Sequence, residues 1–170
     1  MTRPILVAYA TKHGSTQQVA QTIAAMLRKE SLAVDTRPVA DVTDLDSYDA
    51  VVLGAALYMG RLHVDARRFL RRHCKDLEST PLAVFAMGPL TDDERQVEGS
   101  QKQLRHALSK LPGVRPVSTA IFGGVVRPSE LHFPFSHMPA SDARDWKQIE
   151  QWALEIARAF GRRPVAAAPA

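Results

Sequence analysis

Three hydroxyl side chains surround one glycine in the segment that follows the first apolar run. The hydroxyls belong to Thr11, Ser15 and Thr16, and Gly14 lies among them. The preceding run, Pro4–Ala10, carries no charge, as is typical of a buried parallel strand, and an amphipathic helical pattern follows. Because the first N–H groups of a helix are open and its dipole favours an anion, the segment suits a phosphate group. An ordinary strand–helix turn capped by Ser15 or Thr16 is the alternative, and these residues leave both interpretations open.

Better-known phosphate loops are excluded because their motifs are missing. The chain has no G-x-x-x-x-G-K-[ST], which excludes a P-loop nucleotidase. No G-x-G-x-x-G follows the first strand, so the usual dinucleotide fingerprint is absent as well. The single cysteine, Cys74, lies outside the segment, which excludes a cysteine-based phosphatase there. A loop suited to one terminal phosphate remains.

Length and composition predict one domain. The chain has 170 residues, of which 45% are apolar, and we expect a domain over residues 1–161 with a flexible tail over 162–170. One cysteine excludes a disulfide framework and indicates a reducing compartment. No stretch approaches the roughly 18 apolar residues of a membrane span, and the beginning lacks a signal-peptide layout. We therefore expect a cytoplasmic protein with no integral membrane segment.

The charge pattern leaves the partner open. Arginines cluster at positions 67, 68, 71 and 72, and the net charge is +4. Such a cluster is either a solvated helix face or a contact surface for an anionic partner. No aromatic residues interleave with it in the manner of a single-strand binder, so we expect no nucleic-acid partner.

The histidines predict no metal site. His132 and His137 lie in one loop without a cysteine or paired carboxylates nearby, which is a poor ligand set. His13 lies beside the hydroxyl segment, where it either donates a hydrogen bond to an anion or faces solvent.

Apolar runs alternate with helical patterns along the whole chain. The runs predict five strands, over Pro4–Ala10, Leu32–Pro38, Ala50–Gly54, Leu82–Met87 and Val117–Phe122. One helical pattern follows Thr16. Three more cover about Asp65–Cys74, Gln101–Leu111 and Ser141–Phe160. This alternation predicts an α/β fold with a five-stranded parallel sheet covered on both faces. If the strand order is 2-1-3-4-5, ligands bind at the carboxyl ends of strands one and three.

That order brings the loops after strands three and four to the hydroxyl segment. Tyr58 follows strand three and offers an aromatic ring to a flat heterocycle, and Gly60 allows a close backbone approach. Alternatively, Tyr58 caps the sheet edge and Gly60 merely turns the chain. The loop after strand four runs from Gly88 to Asp93.

These residues together resemble the flavodoxin-like superfamily. Its T-x-x-G-x-T phosphate pattern matches Thr11, Gly14 and Thr16. The segment Gly54–Gly60, with His63 beyond it, and the Asp145–Lys147 beginning of the last helix are similar to the menaquinone-dependent protoporphyrinogen oxidase branch. The resemblance covers about residues 4 to 160. It implies a flavodoxin-like three-layer sandwich that binds FMN non-covalently and exchanges electrons with a redox partner protein or a quinone.

The resemblance also assigns the cofactor-binding residues. The first loop, at the phosphate, supplies Thr11, His13, Gly14, Ser15 and Thr16. The two later loops, at the isoalloxazine ring, supply Ala56, Tyr58, Gly60, Met87, Gly88 and Pro89. No side chain is assigned a catalytic role as an acid or base.

Two departures from the family rank the possible functions. The oxidases carry a long basic and aromatic insertion before the last helix, whereas the stretch Val125–Ala140 is short here. Classical electron-carrier flavodoxins are acidic, whereas this chain is basic. We therefore place a general FMN redox protein, with unknown donor and acceptor, ahead of a quinone-dependent protoporphyrinogen oxidase. A flavin-free interaction module is the third alternative, because Gly88–Asp93 has no second stacking ring.

Overall fold

Parallel strands form the centre of the fold, and α-helices flank them. The computed structural model describes residues 3–89, 93–130, 137 and 139–161. Within these ranges the strands are β1 (Ile5–Ala10), β2 (Val34–Pro38), β3 (Ala50–Tyr58), β4 (Arg61–Leu62), β5 (Leu82–Met87), β6 (Ser118–Phe122), β7 (Val125–Val126) and β8 (Ser141–Asp142). The α-helices are α1 (Ser15–Lys29), α2 (Val64–Arg72), α3 (Glu94–Ser109) and α4 (Trp146–Gly161).

The sheet has the predicted topology. The parallel strands lie in the order β2-β1-β3-β5-β6, which is 2-1-3-4-5 when the five predicted strands are numbered along the chain. The short strand β4 pairs antiparallel with the end of β3, and β7 and β8 form a separate two-stranded ribbon. The strand order therefore changes direction between β1 and β3, where the predicted ligand crevice lies.

Two hydrophobic layers enclose the sheet and confirm the three-layer sandwich. On one face, α1 and α4 cover the sheet, with a core that includes Val7, Val52, Phe85, Val19, Ile23, Ile149 and Ile156. On the other face, α2 and α3 cover it, with a core that includes Leu6, Val51, Val84, Phe69, Leu70, Leu104 and Leu108. Alternate residues of the central strands point to opposite layers, so these strands are apolar throughout.

One glycine in β3 makes room for the aromatic core under the crevice. A Cβ at Gly54 would lie 2.0 Å from Cζ of Phe85. The Phe85 ring in turn packs against Phe122 and Trp152, with ring centroids 5.7 and 6.1 Å away. The Trp152 indole N–H donates to Ser118 Oγ at 2.9 Å, which satisfies its polar atom in the core.

Strand β3 is longer than predicted. The apolar run predicts an end at Gly54, but β3 continues to Tyr58. Ala55 and Ala56 still pair with β5. The last two residues, Leu57 and Tyr58, pair with β4 instead. Backbone pairing with β4 therefore extends β3 beyond its last buried residue.

Two helix beginnings also differ from the prediction. Helix α3 begins at Glu94 instead of Gln101, because the side chain of Asp93 accepts a hydrogen bond from Arg95 N at 2.9 Å and caps it. Helix α4 begins at Trp146 instead of Ser141, because Ser141 lies in β8. The Asp145 carboxylate accepts from Gln148 N at 3.2 Å and caps the helix, which begins within Asp145–Lys147 as the resemblance implied.

Some predictions fall outside the described ranges. These concern the tail 162–170, residues 90–92 of the loop after the fourth predicted strand, and His132 of the histidine pair. Across the ranges that are described, none of the helices has the length and apolar character needed to cross a membrane.

Candidate functional site

The loop between β1 and α1, which we name the phosphate loop (Thr11–Thr16), ends in an uncapped helix beginning. The N-cap residue is Gly14, in the left-handed region at φ +86°, and it offers no side-chain cap. The predicted alternative of a Ser15 or Thr16 cap is therefore wrong. The first backbone bond of α1 runs from Gln18 N to Gly14 O at 3.1 Å. The N–H groups of the first helical turn consequently lack intrahelical acceptors, as an anion site requires.

Thr16 carries a buried hydroxyl without a partner. Its side chain lies in the first turn of α1, is only 1% exposed, and its Oγ1 makes no hydrogen bond to any described residue. A buried polar atom left unsatisfied costs about 1–3 kcal/mol. Ser15 beside it is half-buried. Unpaired hydroxyl and N–H donors in one turn are the donor set that a phosphate group accepts from.

Strand register brings three predicted loops to one edge of the sheet. Ala10 at the end of β1 pairs with Ala55, and Ala56 pairs with Met87 at the end of β5. The phosphate loop therefore leaves the sheet next to Ala56, and the segment beginning at Gly88 leaves it on the other side. Ala56, Gly88 and Pro89 are half-buried. These three places form the walls and floor of the candidate crevice.

The loop after β5 offers main chain rather than side chains. The Met87 side chain is 4% exposed and packs in the core with Phe85 and Trp152, so only its backbone is available to a ligand. A Cβ on Gly88 would lie 2.9 Å from Cγ2 of Ile121, so this residue packs closely against β6. Gly88 N is already bonded to Phe122 O at 2.8 Å. This wall is therefore fixed to the sheet.

The loop after β3 is a tight hairpin with an exposed tip. Met59 and Gly60 form its turn, both with positive φ (47° and 74°), which is typical of two-residue hairpin turns. The flanking residues Tyr58 and Arg61 pair across the hairpin. Tyr58 is 63% exposed and Met59 is 83% exposed. Gly60 turns the chain, as the alternative interpretation held, and the Tyr58 ring is open to a flat ligand.

His63, which the resemblance singled out, begins the next helix. Its Nδ1 accepts from Asp65 N at 3.2 Å, so the imidazole caps α2. The Asp65 carboxylate lies 3.8 Å from the same nitrogen. The position of the hairpin relative to α2 is thus secured by a side-chain cap.

Sequence reasoning missed the part of the site that comes from the connection between β6 and α4. We name the β7–β8 pair with residues 127 and 143–145 the ribbon connection. Arg144 Nη1 donates to Gln18 Oε1 on α1 at 2.6 Å, and the same guanidinium donates twice to the Asp142 carboxylate, at 2.9 and 2.7 Å. Its guanidinium carbon lies 4.8 Å from the Trp146 ring centroid, and its side chain is only 7% exposed. The only available signal was the pair of arginines in this stretch.

The hydrogen bond from Arg144 also changes the acidity of its partner. It lowers the pKa of Asp142 below the usual 3.8, burial opposes this, and the charge of Arg127 adds to the lowering. Asp142 is therefore a stable anion that holds Arg144 in place.

A family model described as a flavodoxin domain matches residues 6–138. The chain belongs to the flavodoxin domain family. A relative, the protoporphyrinogen IX dehydrogenase [quinone] of Escherichia coli strain K12, is 24% identical over 170 residues, covering 89% of this chain and 93% of the relative. The resemblance to the flavodoxin-like superfamily, with this branch nearest, is thereby confirmed.

Solved structures show the same fold. Oxidised Flavodoxin 1 of Bacillus cereus superimposes with a TM-score of 0.60 at 16% identity, covering 91% of this chain and 97% of that one. A cysteine-to-serine mutant of the Pseudomonas aeruginosa flavodoxin gives a TM-score of 0.59 at 19% identity, covering 93% and 99%. At these identities the likeness concerns the fold alone. This chain is a flavodoxin-like member of a redox family.

In this flavodoxin-like chain, one interacting group of titratable side chains lies away from the crevice. Tyr48 donates to Asp35 Oδ2 at 2.6 Å, and Arg37 pairs with the same oxygen at 2.6 Å, on the edge strand β2. Burial and the Asp35 carboxylate raise the pKa of Tyr48 to about 12. Burial opposes the charge of Asp35, but the bonds from Tyr48 and Arg37 lower its pKa overall. This network stabilises the sheet edge.

Proposed function

We propose that this protein binds FMN at the carboxyl end of its sheet and exchanges electrons with a separate donor and acceptor. The buried Thr16 hydroxyl, unpaired among the described residues at the open beginning of α1, is the observation that carries the proposal. When bound, FMN supplies the electron or hydride chemistry, and the protein supplies position and electrostatics. Membership of the flavodoxin domain family supports the same cofactor.

The phosphate loop provides the anion donors in this proposal. Thr11 Oγ1 accepts from Gly14 N–H at 2.9 Å, which leaves the Thr11 hydroxyl hydrogen to donate outwards. Ser15 and Thr16 add their hydroxyls and the N–H groups of the first helical turn. All these donors are neutral, so the helix dipole and the backbone carry the attraction.

The ring lies between the Tyr58 hairpin and the main chain at Gly88 and Pro89 in this proposal. The exposed Tyr58 ring offers one stacking face. The half-buried Ala56 provides a small floor at the end of β3. We assign no side chain the role of an acid or base, because the flavin carries the electron or hydride chemistry.

Titration of the purified, flavin-free protein with FMN tests this proposal. We expect the flavin fluorescence to be quenched at micromolar protein, and riboflavin to bind more weakly because it lacks the phosphate. Recovery of a yellow, flavin-loaded protein would reject the flavin-free interaction module. Absence of quenching would defeat the proposal and favour that module.

A quinone-dependent protoporphyrinogen oxidase is the second candidate, and the 24% identical relative of that name favours it. We keep it second because the stretch Val125–Ala140 is short in sequence, where the oxidases carry a long basic and aromatic insertion. The FMN-loaded protein should be assayed with protoporphyrinogen and a soluble menaquinone analogue, beside oxidation of the reduced protein by a simple quinone. Quinone-dependent porphyrin formation would reverse the order of the two candidates.

An acidic redox partner fits the arginine face of α2. Arg68 is exposed, as are Arg71 and Arg72, and this helix begins directly after the Tyr58 hairpin. Electrostatic steering towards this face weakens with salt. With ferricyanide as an anionic acceptor, we expect the R71E/R72E variant to be oxidised more slowly than wild type. R158E, on α4 of the other face, should retain the wild-type rate.

A further inference from the structure

One peptide unit of the phosphate loop is held at both of its polar ends. The Gly14 N–H donates to Thr11 Oγ1 at 2.9 Å. The carbonyl of the same peptide, His13 O, accepts from Arg127 Nη1 at 3.0 Å, across 114 residues of sequence. Because the two polar groups of a trans peptide point in opposite directions, these two bonds fix the orientation of its plane.

This peptide determines how α1 begins. Gly14 follows it at φ +86°, and its carbonyl accepts the first helical bond from Gln18. A rotation of the His13–Gly14 plane would therefore change the direction of the Ser15 and Thr16 N–H groups. When the N–H donors already point at the ligand site, binding carries no free-energy cost for reorienting them. The carbonyl bond from Arg127 thus acts on the donors through the backbone.

Arg127 is itself held in place by the ribbon connection. Val126 pairs with Ser141 just before it, and Ala143 N donates to Gly124 O at 3.0 Å. Gly124 N donates to Pro89 O at 2.8 Å, which ties the ribbon to the opposite wall of the crevice. A Cβ on Gly123 would lie 1.9 Å from Ala143 O, so the two segments cross at van der Waals contact.

A second bond attaches the ribbon to α1. Arg144 donates to Gln18 Oε1 at 2.6 Å, two residues beyond the phosphate loop. The ribbon connection therefore joins three parts of the crevice: the loop carbonyl at His13, the first turn of α1 and the main chain at Pro89. This is the role that the short connection can have in place of a long insertion.

We propose that Arg127 is a positioning residue that holds the phosphate loop in its anion-binding shape and so sets the preference for a phosphorylated over an unphosphorylated flavin. The proposal rests on the proposed FMN function. It assigns the connection between β6 and α4 to the cofactor site, although Arg127 reaches that site through the His13 carbonyl.

The test compares R127Q and R127K with a matched charge control, R115Q. Arg115 is exposed and comes just before β6, at the opposite end of the sheet. We expect R127Q to weaken FMN binding about tenfold, as for loss of one charge-assisted bond, with riboflavin binding changed less than about twofold. R127K, which keeps the charge and a donor, should recover part of the loss, and R115Q should behave as wild type.

Hydrogen exchange in the flavin-free protein provides a readout that does not need the cofactor. We expect the Gly14 amide to exchange several-fold faster in R127Q than in wild type or R115Q, because the peptide plane is no longer held. Unchanged exchange at Gly14 would overturn the proposal.

The outcomes separate this inference from the proposed function. If wild type binds FMN and R127Q binds it equally well, the inference fails and the function stands. If R127Q loses FMN and riboflavin alike, its effect is general damage, which also overturns the inference. If wild type binds neither flavin, the proposed function fails, and the phosphate preference fails with it.

Discussion

The two sides of the crevice are built by opposite means. The phosphate loop is held by a hydrogen bond that Thr11 Oγ1 accepts from Gly14 N–H and by one that Arg127 donates to His13 O, and it contains the buried hydroxyl of Thr16. The hairpin at Tyr58 is held by its own ladder and turn, and Tyr58 and Met59 are more than half exposed. In the proposed function, backbone N–H groups that are already held in place bind the anion, whereas one exposed side chain, Tyr58, contacts the ring. The two sides should respond differently to substitution.

The largest effect is expected from removing both hydroxyls of the helix beginning. The S15A/T16A variant loses two charge-assisted bonds, each worth about 1.5–3 kcal/mol. The affinity for FMN should therefore fall about a hundredfold to ten-thousandfold, while the affinity for riboflavin changes little. Fluorescence titration with both flavins measures this difference.

Two further variants sharpen that result. T16V removes only the hydroxyl that is buried without a described partner, so the flavin-free protein should be at least as stable as wild type in urea. T22A, in the next turn of α1, controls for general effects on the helix. Equal losses for FMN and riboflavin would show that the substitutions merely damaged the beginning of α1.

The next effect concerns the backbone of the same side. G14A places a side chain at φ +86°, where nothing lies within 4 Å of the new Cβ, so its cost is backbone strain alone. We expect a loss of about 1–2 kcal/mol in stability, measured by urea denaturation, and weaker FMN binding. G99A, in the middle of α3 with equally open space, should be stabilising by up to about 1 kcal/mol. Similar results for both variants would contradict the special role of Gly14.

A smaller effect with the opposite ligand pattern is expected on the exposed side. Y58A removes a stacking partner worth about 0.5–1.5 kcal/mol, so both FMN and riboflavin should bind about two- to twelvefold more weakly. The stability of the flavin-free protein should not change, since the ring is 63% exposed. M59A, the neighbouring exposed residue, should leave both affinities unchanged. Loss of FMN binding alone would place Tyr58 at the phosphate instead.

The smallest effect is a pH dependence restricted to the phosphate side. The pKa of Asp142 is lowered in the folded protein, so its contribution to stability is present above its ordinary value of 3.8 and is lost as the pH falls through the lower folded value. Wild type should therefore lose more stability than D142N between about pH 5 and pH 2 in urea denaturation series. Parallel curves for wild type and D142N would contradict this coupling.

The strand order was predictable because the central strands β1, β3 and β5 are buried on both faces over most of their length. Leu82–Met87 is apolar at every position, and the structure gives β5 the same bounds. The end of β3 was not predictable from hydrophobicity, because residues 57 and 58 are held by backbone pairing to β4. The beginning of α3 depends on one cap at Asp93, which carries less signal than an apolar stripe.

The candidate site was predictable where it is local in sequence. The hydroxyls and glycine of the phosphate loop lie within six residues, and strand order alone brings the other two loops to them. Their contacts with a flavin stay a prediction. The bonds from Arg127 to His13 and from Arg144 to Gln18 span 114 and 126 residues, and no local pattern encodes such pairs. Polar contacts between residues far apart in the sequence could therefore not be predicted.

The bond between His13 and Arg127 also fixes an order of events during synthesis. The His13 carbonyl leaves the ribosome long before the arginine that binds it, since 114 residues separate them. At about 5–20 residues per second, the delay is roughly 6 to 23 s. Strands β1 to β3 pair with one another and are complete by Tyr58, so the first half of the sheet can assemble while this loop still lacks its arginine. The phosphate loop therefore receives the hydrogen bond from Arg127 only after β1 to β3 have been synthesised.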